Sequence, residues 1–227
     1  MLAPSTPVSQ STDSRDLPSE RILPVVRRPA DAAARAARDQ EYLLTRAIQD
    51  LLLDEQPHHA QFSFDTARHL SHEDPRAFFG VCLAALARSN MNHSMNAWEQ
   101  ALRRFADQNG VLDDMWFDFT EFGDDALLVS SRAKRLCKTL RLSLQQAELM
   151  QSVGAQKEAL LAYLTWRTDE QPRAALEKAN RAVQLDRKAA PGDRIPGIPL
   201  LYQRLAEAIA AREHSANPSN GPTASAH

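Results

Sequence analysis

Residues 74–110, DPRAFFGVCLAALARSNMNHSMNAWEQALRRFADQNG, carry the pattern that decides the fold. Asp74 before Pro75 is a capping acid followed by proline at a first helical position, where the missing N–H has no helical partner to lose. Phe78, Phe79, Cys82, Leu83 and Leu86 then recur at three- and four-residue spacing, which puts them on one helix face. Ser94 is a candidate cap for a second helix, in which Ala97, Trp98, Ala101, Leu102 and Phe105 repeat the spacing before Gly110 stops it.

The same logic extends in both directions. Upstream, Asp31 can cap a helix to about Asp54 with Leu44, Ile48, Leu51 and Leu52 on one stripe, ended by Pro57. Downstream, Asp124 or Asp125 starts a helix with Leu128, Arg132, Leu136, Cys137 and Leu140. Ser143 with Gln146 three residues on fits a capping box, and Gly154 divides that helix from one holding Leu160, Tyr163, Leu164 and Trp166. Pro172 opens another, with Leu176, Ala179, Val183 and Leu185; PGDRIPGIP (191–199) reads as a stiff loop before a last helix to about Arg212. Strand signals are poor: alternation is confined to Phe62-Ser63-Phe64. The expectation is an all-α protein, an antiparallel helical bundle or short α-solenoid of about seven to nine helices. It spans 30–213, with a seam near 106–125 if there are two bundles. The Pro- and Ser-bearing segments 1–29 and 214–227 read as disordered tails.

Composition narrows the function classes. The chain has 227 residues, 43% of them hydrophobic and 25% charged, with Lys+Arg 27 against Asp+Glu 29 and a net charge of −2. No global field therefore advertises a nucleic-acid or membrane partner, and no apolar run approaches the ~20 residues that span a bilayer. The 2 cysteines, Cys82 and Cys137, make no disulfide framework and suit a reducing, cytoplasmic compartment. Arginine outnumbers lysine 22 to 5, spread evenly enough to reflect a GC-rich bacterial genome rather than a phosphate site. The Ser/Pro-rich start, without a cleavable signal, resembles the leaders of effectors injected by Gram-negative secretion machines, an alternative to a cytoplasmic life.

In ALLAYLTWRTDEQPRAALEKANRAVQLDR (159–187), Ala175, Ala179 and Ala182 occupy positions of the second helix that require small residues, and Trp166 an aromatic position of the first. The stretch resembles a single tetratricopeptide-type helix pair, which implies a helical surface for protein partners. Tyr163 and Arg187 depart from the pattern, where a small residue and a closing proline belong, and no second copy follows at 34-residue spacing.

The most polarised stretch is 113–141. Asp113, Asp114, Asp118, Glu121, Asp124 and Asp125 are interleaved with Trp116, Phe117, Phe119 and Phe122; then Arg132, Lys134, Arg135, Lys138 and Arg141 form a basic patch. If the acidic half is helical, 115, 116, 119 and 122 share an apolar face flanked by acids. Read functionally, Asp113, Asp114, Trp116, Asp118, Phe119, Glu121 and Phe122 bind a basic protein partner, because Trp and Phe are favoured interface anchors. Read structurally, the same residues are buried rings under a solvated acidic face.

The sequence offers three other readings. The basic patch could meet phosphates, and 143–164 faintly resembles a helix-turn-helix with Gly154 in the turn, although Met150 stands where a small residue belongs. His58, His59, His69 and His72, near Asp65, Glu73 and Asp74, could supply a metal site to a helical enzyme, although no H-E-x-x-H or C-x-x-C accompanies them. Cys82 and Cys137 sit on inward stripes, where a thiol is usually packing. With no phosphate-binding loop or nucleophile elbow, no cofactor and no catalytic residues are expected. The leading expectation is a non-enzymatic adaptor or chaperone-like module, with nucleic acid an unlooked-for partner.

Overall fold

In a computed structural model, which describes residues 29–148, 153–168 and 171–216, the chain is all-α. The helices are α1 (Pro29–Leu52), α2 (Pro57–Leu70), α3 (Pro75–Ala87), α4 (Met91–Asp107), α5 (Ala126–Gln146), α6 (Gly154–Arg167), α7 (Pro172–Asp186) and α8 (Gly197–Ala216). None of them is long and apolar enough to cross a membrane. Of the two expected tails, 1–28 and 217–227 lie outside the described residues, whereas Pro29 already belongs to α1 and 214–216 to α8.

Local chemistry explains the starts and stops, with several corrections to the sequence reading. Asp74 caps α3 as expected, its carboxylate accepting from the Arg76 N–H at 2.8 Å with Pro75 at the first position. α1 begins before Asp31, which lies inside its first turn. Pro57 does not merely end α1; it opens α2. α2 escapes notice because its buried stripe is slim, consisting of Ala60, Ser63, Phe64 and Ala67. The alternation Phe62-Ser63-Phe64 is helical, with Phe64 fully buried and Phe62 75% exposed.

α4 is capped by Asn90, whose side chain accepts from the His93 N–H at 3.2 Å. Starting there places Ser94 on the inward face, fully buried, with its hydroxyl 3.3 Å from Cys82 Sγ, so Ser94 is not the cap. Ser143 and Gln146 form no capping box either, because α5 runs unbroken through both while Leu140 and Leu144 continue its buried stripe. Leu128, expected inward, is 47% exposed; the stripe is Val129, Ala133, Cys137, Leu140 and Leu144. The stiff loop is shorter than 191–199, for α8 already starts at Gly197. A Cβ at 197 would collide with the Leu102 carbonyl, so glycine is what lets α8 pass this close to α4.

Short links fold chain neighbours into the hairpins α1/α2, α3/α4 and α6/α7, while α2 also packs on α3, α7 on α8, and α8 returns to α4 and α6. α5 behaves differently. It lies across α1, α3 and α6, the first helix of each hairpin. One apolar cluster extends from Leu44 to Ile209 and includes Met115 and Phe117 from the 106–125 segment. That segment crosses from α4 to α5 with its aromatic side chains in the core, and it positions the acidic residues considered next.

Candidate functional site

The acidic–aromatic stretch is not one helix. Two short 3-10 turns, Leu112–Met115 and Thr120–Asp125, flank a near-extended Trp116 (φ −102°, ψ 161°). The expected face of 115, 116, 119 and 122 is corrected accordingly: the backbone leaves helical geometry at Trp116, and the consecutive residues Met115, Trp116 and Phe117 pack against the core. Phe117 stacks on Phe64 and Phe79 at ring separations of 5.6 and 6.0 Å, and Trp116 meets Phe79 and Phe119 at 6.1 and 6.0 Å. Met115 and Phe117 are core, while Trp116, Phe119 and Phe122 are half-buried and keep an edge in reach of solvent. The rings anchor the strip and the acids between them face outward: Asp113, Asp114, Asp118, Glu121, Asp124 and Asp125 are all exposed.

Arg167, at the end of α6, clamps the strip. Its Nη2 donates to the Leu112 carbonyl at 2.6 Å, Nη1 to Asp113 Oδ1 at 2.9 Å and Nε to Tyr163 Oη at 3.0 Å. The guanidinium also lies over the Trp116 and Tyr163 rings, 4.9 and 5.1 Å from their centres. Burial pushes the Tyr163 phenol up to about 12, so it stays protonated and donates to the Leu112 carbonyl at 3.1 Å. Asp118 Oδ1 accepts from the Thr120 N–H at 2.9 Å, and that bond holds its carboxyl below the usual range.

Beside the strip is a cleft of about 640 Å³ lined by Glu73, Asp74, Arg76, Asp113, Asp114, Trp116 and Asp118, among others. Its one cation is already met. Arg76 donates through Nε to both Asp74 oxygens at 3.1 Å and through its terminal nitrogens to Asp74 and Glu41. Burial opposes the Arg76 charge, but these bonds outweigh burial and its pKa is net raised. The far wall is fastened from α4, where Arg104 Nε donates to the His72 carbonyl at 2.7 Å and Gln108 to the Glu73 carbonyl at 2.6 Å. What remains is a fixed, negatively charged concavity with a tryptophan edge. No step of sequence reasoning marks Arg167 or Arg76, because beside its local partner each also bonds a group 35 to 55 residues away, Glu41 for Arg76 and Leu112 and Asp113 for Arg167.

The basic patch divides. Arg132 donates to the carbonyls of Leu52 and Leu53 at 3.1 and 3.3 Å, supplying at the C-terminal end of α1 the cation that its own last turn lacks. Arg141 donates to Thr168 Oγ1 at 3.4 Å, at the end of α6. Lys134, Arg135 and Lys138 are on the exposed side of α5. As for a helix-turn-helix, 143–146 is merely the end of α5, Leu149 and Met150 lie outside the described residues, and α6 is buried from Ala159 to Trp166. A helix covered along that length has no face to lay in a groove.

The histidines do not converge. His58 and His59 begin α2 and His69 ends it, a rise of ~16 Å apart. Only His69 and His72 adjoin, ring centres 6.0 Å apart, while Asp65 pairs with Arg68 and Asp74 with Arg76. Among the described residues no group of three His, Cys, Asp or Glu could hold a metal. Both thiols are buried, which pushes each up to about 12 and leaves neither a nucleophile near neutral pH.

No protein-family model matches the chain, and no curated protein or solved structure is significantly similar to it.

Proposed function

We propose that the protein is a non-enzymatic interaction module that captures a basic protein segment on the strip 113–122 and its adjoining cleft. The observation that carries this reading is preorganisation. Four outward carboxylates stand on a backbone held by buried rings and by Arg167, so little ordering entropy opposes binding. Asp113, Asp114, Asp118 and Glu121 supply the charge, and the edges of Trp116, Phe119 and Phe122 supply the apolar contact. Phe117 is left out because it is core. The paired helices support an adaptor scaffold, and α6/α7 supports the tetratricopeptide-like reading of 159–187. The two free thiols suit a reducing compartment such as the cytoplasm. The export reading rests on residues 1–28, outside the described structure.

The test compares capture from the protein's own cell lysate by the unaltered chain and by the pair Asp118→Lys with Glu121→Lys. Both sites are exposed, so helix content by circular dichroism should be equal. The variant should lose a protein partner that the unaltered chain holds through nuclease treatment and releases as salt rises. Equal capture by both proteins overturns the placement.

A further inference from the structure

We propose that residues 21–28 of this chain, RILPVVRR, fold back beneath the first turns of α1 and set Arg21 in the acidic cleft, where they hold the place of the basic partner. The inference rests on the reading of the strip and cleft as a site for a basic segment, and it names an occupant in the same chain.

The first observation is an overhang. α1 has 24 residues and its hairpin partner α2 has 14, so α1 outruns α2 by ~15 Å of helix. The inward stripe of α1, through Gln40, Leu44, Ala47, Ile48 and Leu51, is buried. The same spacing continues upstream to Ala37 and Ala33, and both are exposed. Residues 32–39 are exposed altogether, apart from the half-buried Ala36. Helices in proteins draw most of their stability from a covered face, and these turns have none.

The second is where the overhang leads. The covered part of α1 begins at the cleft: Gln40 Nε2 donates to Asp74 Oδ2 at 2.6 Å, and the Glu41 carboxylate accepts from Arg76 at 3.3 Å. Asp74 and Arg76 line the cleft together with Asp113, Asp114, Asp118 and Trp116. The small-residue underside of the overhang therefore runs into the acidic concavity and its tryptophan edge.

The third is the chemistry and reach of the segment that enters α1. Residues 21–28, which lie outside the described structure, carry three arginines and no acid, around Ile22, Leu23, Val25 and Val26. That is the basic, apolar composition the strip calls for. From Pro29 to Glu41 the helix rises ~18 Å, and eight extended residues span ~26 Å, so a chain that reverses at the tip of α1 brings Arg21 level with Glu41 and the cleft. The valines and leucine then cover Ala33 and Ala37. Because the segment is tethered, its effective concentration is in the millimolar range, and even a weak contact stays filled against a dilute partner.

Hydrogen exchange on the full-length chain reads the fold-back without any partner. Amides 33–39 and 114–118 should exchange about tenfold faster in the double variant Arg21→Glu, Val25→Asp than in the unaltered chain, and equally so at about 1 and about 50 μM protein. Equal exchange in the two chains overturns the fold-back. A difference confined to the higher concentration assigns the contact to a second copy and overturns it within one chain. A fluorescein-labelled peptide of residues 21–30, followed by anisotropy, then tests occupancy. It should bind the double variant at least ~10-fold more tightly than the unaltered chain, whose own segment holds the place. Adding Asp114→Lys and Asp118→Lys to the double variant should abolish that binding. Equal affinity for the variant and the unaltered chain, or binding to neither, overturns the occupancy. If lysate capture is indifferent to Asp118→Lys with Glu121→Lys while these peptide results hold, the partner reading fails and the fold-back stands.

Discussion

At the scale of single residues, the clearest structural assignment is Arg167. Its side chain is only 12% exposed, it gives three hydrogen bonds, and two rings lie beneath it. Arg167→Ala should lower unfolding free energy by about 2–3 kcal/mol, since it removes one of the two donors to the Leu112 carbonyl and the cation over both rings, and loosens the strip. Arg167→Lys should lose about half of that, keeping charge but not the planar fork. Urea unfolding followed by tryptophan fluorescence measures both. The buried thiols set an alkaline limit. Each has its pKa pushed from 9.0 to about 12, so the folded state holds protons that the unfolded chain releases, and stability falls as pH rises above about 9. At pH 10 the loss should be about 1.4 kcal/mol per thiol, with Tyr163 adding to it above pH 10. Denaturant midpoints at pH 8 and pH 10 test this, and the double variant Cys82→Ala, Cys137→Ala should flatten the difference between pH 8 and 10.

At the scale of elements, the helix starts separate rival readings. Asn90→Ala should cost about 1 kcal/mol by removing the α4 cap, whereas a cap at Ser94 would make Asn90 silent. Comparing thermal melts of the two alanine variants is not enough by itself, because Ser94 is buried; an α4-specific loss of amide protection at 91–93 should appear in Asn90→Ala alone. Gly197→Ala should cost more, about 2–3 kcal/mol, since the Leu102 backbone cannot yield as a side-chain tip could. Periodicity made α3, α4 and α6 legible because each buries a broad stripe, Phe78 to Leu86 in α3 for example. It passed over α2, whose buried residues are mostly small or polar, and it mistook Ser143 for a start because short-range cap patterns recur inside continuous helices.

At the scale of the whole molecule, the apolar cluster continues through the stretch 106–125, the place where the sequence allows a seam between two bundles. Unfolding followed by far-ultraviolet dichroism and by Trp98, Trp116 and Trp166 fluorescence should therefore superimpose in one transition. Two separated transitions would place a boundary there after all. The all-α class, most inward stripes and the polarised run 113–141 are legible in the chain order alone, because helical period and charge order are properties of neighbouring residues. The folded packing alone settles which rings of that run are core, where Arg76 and Arg167 find their carboxylates and carbonyls, and that α5 contacts three hairpins. Those depend on contacts between residues far apart in the chain, such as Arg132 with Leu52, and a period of 3.6 residues carries no information about which helix covers which.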